Sequence, residues 1–197
     1  MLAGFAGADG SYDIEEVSKL DPVELQIEVE YCLRLKGFCV LDTGVDETVI
    51  EQALTDISDL REQEYRFMPC QPEVVDGILG SKGNGEFCEL EYLGAADYKD
   101  GQGLKKIQES VDFFTEVGST FCKEAGFTSV VPSLTIAVRG DEPDEHNELN
   151  QDTAKGWLST FKLAKLMIVL FLGPNEGTLE LTPYDDDSGV VEIKTKP

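Results

Sequence analysis

"KLMIVLFLGPNEGTLELTP", residues 165 to 183, is the stretch on which the fold turns. Seven successive apolar residues, Leu166 to Leu172, stop at Gly173-Pro174, and the chain restarts as the alternating Thr178-Leu179-Glu180-Leu181. A run that is apolar at every position has no face for water, so as a strand it reads as an inner one, buried on both sides. The alternating segment reads as a neighbouring strand with one wet face, and the Gly and Pro between them as the turn that joins the two. The run is also far shorter than the roughly 20 residues a helix needs to cross a bilayer.

Outward from this hairpin, the second half of the chain keeps the same character. "SLTIAVRG" (133–140) and "GVVEIKT" (189–195) are further strand candidates, separated by Gly, Pro and Asp turns. The first half is helical. Asp46 caps a helix whose Val49, Ile50, Ala53, Leu54, Ile57 and Leu60 fall on one face, and a longer helix at about 104–125 aligns Leu104, Ile107, Val111, Phe114, Phe121, Cys122 and Ala125 before Gly126. Those aromatics at helical spacing read as core. Residues 61–103 carry Pro69, Pro72, "GSKGNG" and "DGQG" and read mostly as loops, with a short strand near "EFCELEYL".

Residues 21–36 send two signals. "DPVE" offers an N-cap, a Pro at the first helical position and a Glu three residues on, and Gly37 supplies the stop. Yet Val23, Leu25, Ile27, Val29, Tyr31, Leu33 and Leu35 alternate with polar residues or Cys, which is strand periodicity. A strand of that length would be well above the usual five or six residues. The segment therefore reads as a helix covered on two sides, followed by "GFCVLD" (37–42) as a short buried strand. Residues 1–20, small and Gly-rich, read as a mobile N-terminal arm. The expected organisation is a single α+β domain over 21–197, with a helical part at 21–127 and a β part at 128–197.

The composition bounds the partners. Among 197 residues, 39 acidic side chains face 16 basic ones, for a net charge of -23. Phosphate binding needs clustered Lys and Arg, so nucleic acid is not an expected partner. Five cysteines, Cys32, Cys39, Cys70, Cys88 and Cys122, show no C-x-x-C spacing and read as reduced structural thiols rather than a disulfide frame or a zinc site. The start of the chain has neither the basic residues nor the apolar run of a signal peptide. A soluble protein of a reducing compartment, the cytoplasm or the interior of an organelle, is the expectation.

The order of these pieces resembles the iron(II) and 2-oxoglutarate-dependent oxygenases, in particular the prolyl 4-hydroxylase-like branch. There a helix leads into a strand similar to "GFCVLD", further helices follow, and a double-stranded β-helix, a jelly-roll-like barrel, completes the domain. "LTIAVRGDEPDEH" resembles the strand that precedes the first metal ligands, and "KLMIVLFLGPNEGTLEL" the apolar strand and Gly-rich hairpin at the barrel mouth. The resemblance covers roughly residues 30–195.

What the resemblance implies is an iron(II) held by two imidazoles and one carboxylate, with positions left for 2-oxoglutarate and dioxygen. His146-Asn147-Glu148 lies where the family has His-x-Asp, so His146 and Glu148 are the implied metal residues. His146 is also the only histidine of the 197 residues. The second His, and the Arg or Lys that anchors 2-oxoglutarate, follow in the family beyond the strand that "VVEIKTKP" resembles. The chain is then either a fragment of a longer protein or a domain that has kept the scaffold and lost the chemistry, and as 197 residues it is expected to be inactive.

Read without the family, His146 is an exposed histidine in the acidic loop "DEPDEHNELNQD" (141–152), whose Asp141, Glu142, Asp144, Glu145 and Glu148 could instead collect calcium, although not at EF-hand spacing. Trp157 reads as packing, and "DDDSG" (185–189) as a hairpin turn. The alternative function to a 2-oxoglutarate-dependent hydroxylase is a non-catalytic acidic accessory subunit of a larger protein assembly.

Overall fold

The computed structural model describes residues 12–15, 17–69, 85–89, 102–127, 135–139, 151, 155, 166–181 and 189–195. They form an α+β protein with three α-helices, α1 (Pro22–Lys36), α2 (Glu47–Arg61) and α3 (Gln102–Glu124), preceded by a 3-10 turn at Val17–Lys19. Five strands, β1 (Met68–Pro69), β2 (Gly85–Glu89), β3 (Thr135–Arg139), β4 (Gly177–Leu181) and β5 (Val191–Thr195), make two antiparallel sheets, β1-β2-β3 and β4-β5. Neither sheet closes on itself among the described residues. The chain divides into two compact units, one of residues 1–51, 109–130 and 168–197, the other of 52–108 and 131–167.

Capping decides the conflict over residues 21–36 in favour of helix. The Asp21 carboxylate accepts from the Val23 N–H at 2.9 Å, Pro22 opens the first turn, and Gly37 closes the last with φ 81, its N–H donating to the Leu33 carbonyl. The expected cover on two sides is not found. On a helix the alternating pattern resolves into two stripes on opposite faces. Leu25 and Val29 are buried with Leu33 packed beside them, whereas Val23, Ile27, Tyr31 and Leu35 are exposed.

In the first unit the core joins Leu25 and Val29 of α1 to Phe114 and Val117 of α3, and Ile14 and Val17 complete it. Residues 12–15 and 17–20, within the segment expected to be an arm, thus contribute two buried side chains to the core. "GFCVLD" falls short of a strand: residues 38–40 and 42 belong to no regular element, and among the described residues the ladder contact here is a single parallel bridge, Leu41 to Ile14. Arg34 pairs with Glu30 at 2.6 Å and with Glu124 of α3 at 2.9 Å, its guanidinium lying 5.8 Å from the centre of the Phe121 ring.

The largest departure concerns Leu166 to Leu172. Residues 166–173 belong to no strand, and Met167, Ile168, Val169 and Phe171 are 58%, 40%, 44% and 38% exposed. Bulky apolar side chains favour an extended backbone, but a strand also needs a neighbour to take its N–H and C=O groups. The expected pairing of 166–172 with 178–181 is therefore not found; β4 pairs instead with β5, Leu179 faces the buried Ile193, and the Gly177 N–H donates to the Thr195 hydroxyl at 3.0 Å.

In the second unit, β2 pairs along its whole length with β3, Cys88 opposite Ile136, and β1 adds two residues at the other edge. The Arg61 guanidinium, at the end of α2, grips the Glu86 carboxylate of β2 with two N–H groups at 3.1 and 2.9 Å. The buried Asp56 of α2 accepts from the Leu104 N–H in the first turn of α3 at 3.0 Å and from the Gln52 amide at 3.1 Å. A carboxylate there satisfies an N–H that has no partner inside its own helix and meets the positive end of the helix dipole. The approach is so close that a Cβ on Gly103 would lie 2.3 Å from the Ala53 backbone nitrogen.

Gly103→Ala should therefore lower the unfolding free energy by about 2 kcal/mol, the usual cost of forcing extra volume into a packed site. Urea denaturation measures it, and a loss below about 0.5 kcal/mol would contradict the contact.

Candidate functional site

The metal residues implied by the oxygenase resemblance, His146 and Glu148, lie outside the described residues, as do Asp141, Glu142, Asp144, Glu145, Trp157 and the 185–188 part of the acidic turn. Among the described residues a different group of ligating side chains comes together. Asp13, Cys32 and Cys39 place their donor atoms within 4.8 Å of one another.

Three elements of the first unit hold this group. Asp13 lies shortly before the 3-10 turn, where its N–H donates to the Val40 carbonyl at 2.8 Å and its carboxylate accepts the Val40 N–H at 2.7 Å. Cys32 sits on α1, one turn before Lys36. Cys39 follows the left-handed Gly37, which ends the helix and turns the chain back so that residue 39 returns to the side of residue 32.

Lys36 completes the arrangement. Its ammonium donates to the second Asp13 oxygen and lies 4.4 Å from the centre of the Phe38 ring. The Lys36 and Asp13 side chains are only 8% and 5% exposed, so this is a buried ion pair. Removing two charges from water costs several kcal/mol, and that cost is offset only when each charge keeps its partner.

Burial pushes the Cys39 thiol well above its ordinary range, and the neighbouring Cys32 and Asp13 add to the rise while Lys36 opposes it. Cys122, on α3, is raised by burial. The four cysteines described, Cys32, Cys39, Cys88 and Cys122, are all free thiols. The reading of all the cysteines as structural thiols missed the convergence of Cys32 and Cys39. Their seven-residue spacing spans a helix end, and Asp13 is remote in sequence, so the only available signal was Gly37 as the stop that reverses the chain.

Among the described residues, no helix is long and apolar enough to cross a membrane. Compared with family models, with curated proteins and with solved structures, the chain matches none of them.

Asp13→Ala leaves the Lys36 ammonium buried without its carboxylate and should cost about 3 kcal/mol or more in urea unfolding. Combining it with Lys36→Met should recover part of that loss, and strict additivity of the two single changes would contradict a buried pair. For Cys122, the folded chain keeps the proton that the unfolded chain releases near the ordinary value of 9.0, so stability is fully present below that pH and falls above it. The parent should lose more stability than Cys122→Ala between pH 8 and pH 10; parallel curves would count against a buried thiol.

Proposed function

We propose that the chain is a scaffold of the iron(II) and 2-oxoglutarate-dependent oxygenase type, of the prolyl 4-hydroxylase-like branch, which on these 197 residues acts as a binding or accessory module rather than as a hydroxylase. The observation that carries the reading is the order of elements. Helices α1 and α2 flank the "GFCVLD" segment, α3 follows, β3 comes next, and the antiparallel β4-β5 pair is entered from the apolar Leu166 to Leu172 stretch through Gly173-Pro174. In this reading β4 and β5 are strands of a jelly-roll-like barrel, and the acidic loop with His146 and Glu148 sits at the position where the family binds iron.

That these 197 residues do not by themselves carry out the hydroxylation follows from chemistry. A facial site needs two imidazoles and a carboxylate, and His146 is the only histidine of the sequence. One imidazole and the Glu148 carboxylate give at most two protein ligands, too few to hold iron and position 2-oxoglutarate against dioxygen. The net charge of -23 suits a module whose surface selects a basic protein partner through complementary charge.

Purified protein of residues 1–197, supplied with iron(II), 2-oxoglutarate and ascorbate, is expected to form no succinate above the protein-free control. His146→Ala is expected to leave stability within about 0.5 kcal/mol of the parent and iron(II) affinity, titrated anaerobically, unchanged. Succinate formation, or a clear loss of iron affinity in that variant, would replace the accessory role with a hydroxylase. A crystal structure in which no second sheet faces β4 and β5 would remove the oxygenase-type scaffold itself.

A further inference from the structure

We propose that Asp13, Cys32 and Cys39 form a binding site for one thiophilic divalent cation, zinc by ligand chemistry, with a fourth position left to water. The inference is independent of the oxygenase-type reading and of His146.

Geometry comes first. The three donor atoms lie within 4.8 Å of one another. Around a tetrahedral zinc, with bonds of about 2.3 Å to sulfur and 2.0 Å to oxygen, donors stand roughly 3.3–3.8 Å apart, so they need to close by at most about 1–1.5 Å. Side-chain rotation at the two half-exposed cysteines can supply that movement.

Support for the ligands is already in place. The Asp13 carboxylate is oriented by the Val40 N–H and the Lys36 ammonium, one to each oxygen, and each oxygen retains a lone pair for a metal. Hydrogen bonds of this outer kind fix a ligating carboxylate in zinc proteins. The Asp13 backbone is fixed to Val40, Cys32 to a capped helix and Cys39 to the turn after it, so none of the donors hangs on a free loop.

Charge is the second argument. Without metal, the Asp13 carboxylate, the Lys36 ammonium and the two thiols sum to no net charge. Binding exchanges the two thiol protons for one divalent cation: two thiolates and one carboxylate contribute three negative charges, the cation and Lys36 three positive ones. These groups balance again, and a monovalent or trivalent ion would not balance them. Two sulfur donors favour zinc, cadmium or cobalt over magnesium, calcium or manganese, which take oxygen ligands.

The test uses the full 197-residue chain, reduced, freed of reductant and handled anaerobically, and titrated with cobalt(II) as a spectroscopic stand-in for zinc. The expected result is one cobalt per chain with the intense visible bands of tetrahedral geometry and thiolate-to-metal charge transfer in the near ultraviolet, both removed by one equivalent of zinc. Cys32→Ser and Cys39→Ser should each weaken binding at least tenfold and diminish the charge transfer, while Cys122→Ala, outside the group, leaves both unchanged. Each variant is checked for folding by circular dichroism, and either one, if folded, suffices. A cobalt spectrum that remains that of the hydrated octahedral ion overturns the proposal, as does tetrahedral binding that survives in both cysteine variants.

Discussion

The buried ion pair of Asp13 and Lys36 is the constraint on which the first unit depends. It joins three pieces that have little else in common: the segment around Asp13, the last residue of α1, and the backbone at Val40. Because neither charge can reach water, the segment cannot swing away without exposing one of them to an apolar surround. Ile14 and Val17 can be core residues because Asp13 is fixed beside them. Cys32 and Cys39 meet for the same reason, on either side of the lysine that the carboxylate holds.

The second unit uses another carboxylate for another purpose. Asp56 lies on the apolar face of α2, where a charged residue would be costly, and it is tolerated because the first turn of α3 offers an unpaired N–H. Gly103 makes the approach possible, since any side chain there would collide with the backbone of α2. In both units a helix end and an acidic side chain from another element are matched, which gives some of the 39 acidic residues a structural role beside that of solvation.

Among the described residues, the stripe Val23, Ile27, Tyr31 and Leu35 on α1 and the stretch from Met167 to Phe171 are exposed apolar surface. Surfaces of this kind mark places where proteins meet other surfaces. The thiol and carboxylate group near Lys36 is a distinct feature with its own chemistry. If it holds zinc, the metal would tie the chain on either side of Gly37 to the segment around Asp13, adding its binding free energy to folding.

The sequence by itself determined the elements that depend on neighbours close in the chain. Asp21 and Gly37 bounded α1, Asp46 began α2, Gly126 followed α3, and the alternation of 178–181 and 189–195 marked β4 and β5, because caps, turns and periodicity act over a few residues. Whatever required a partner distant in sequence was decided by tertiary structure alone. Which of the two stripes of α1 is buried, whether Leu166 to Leu172 finds a strand beside it, why Asp56 can be buried, and how Asp13 reaches Cys32 and Cys39 all depend on what lies opposite in space. A hydrophobic pattern states that a face needs cover and a carboxylate states that it needs a donor. Only the folded chain supplies the surface or the N–H that answers, or leaves the face in water.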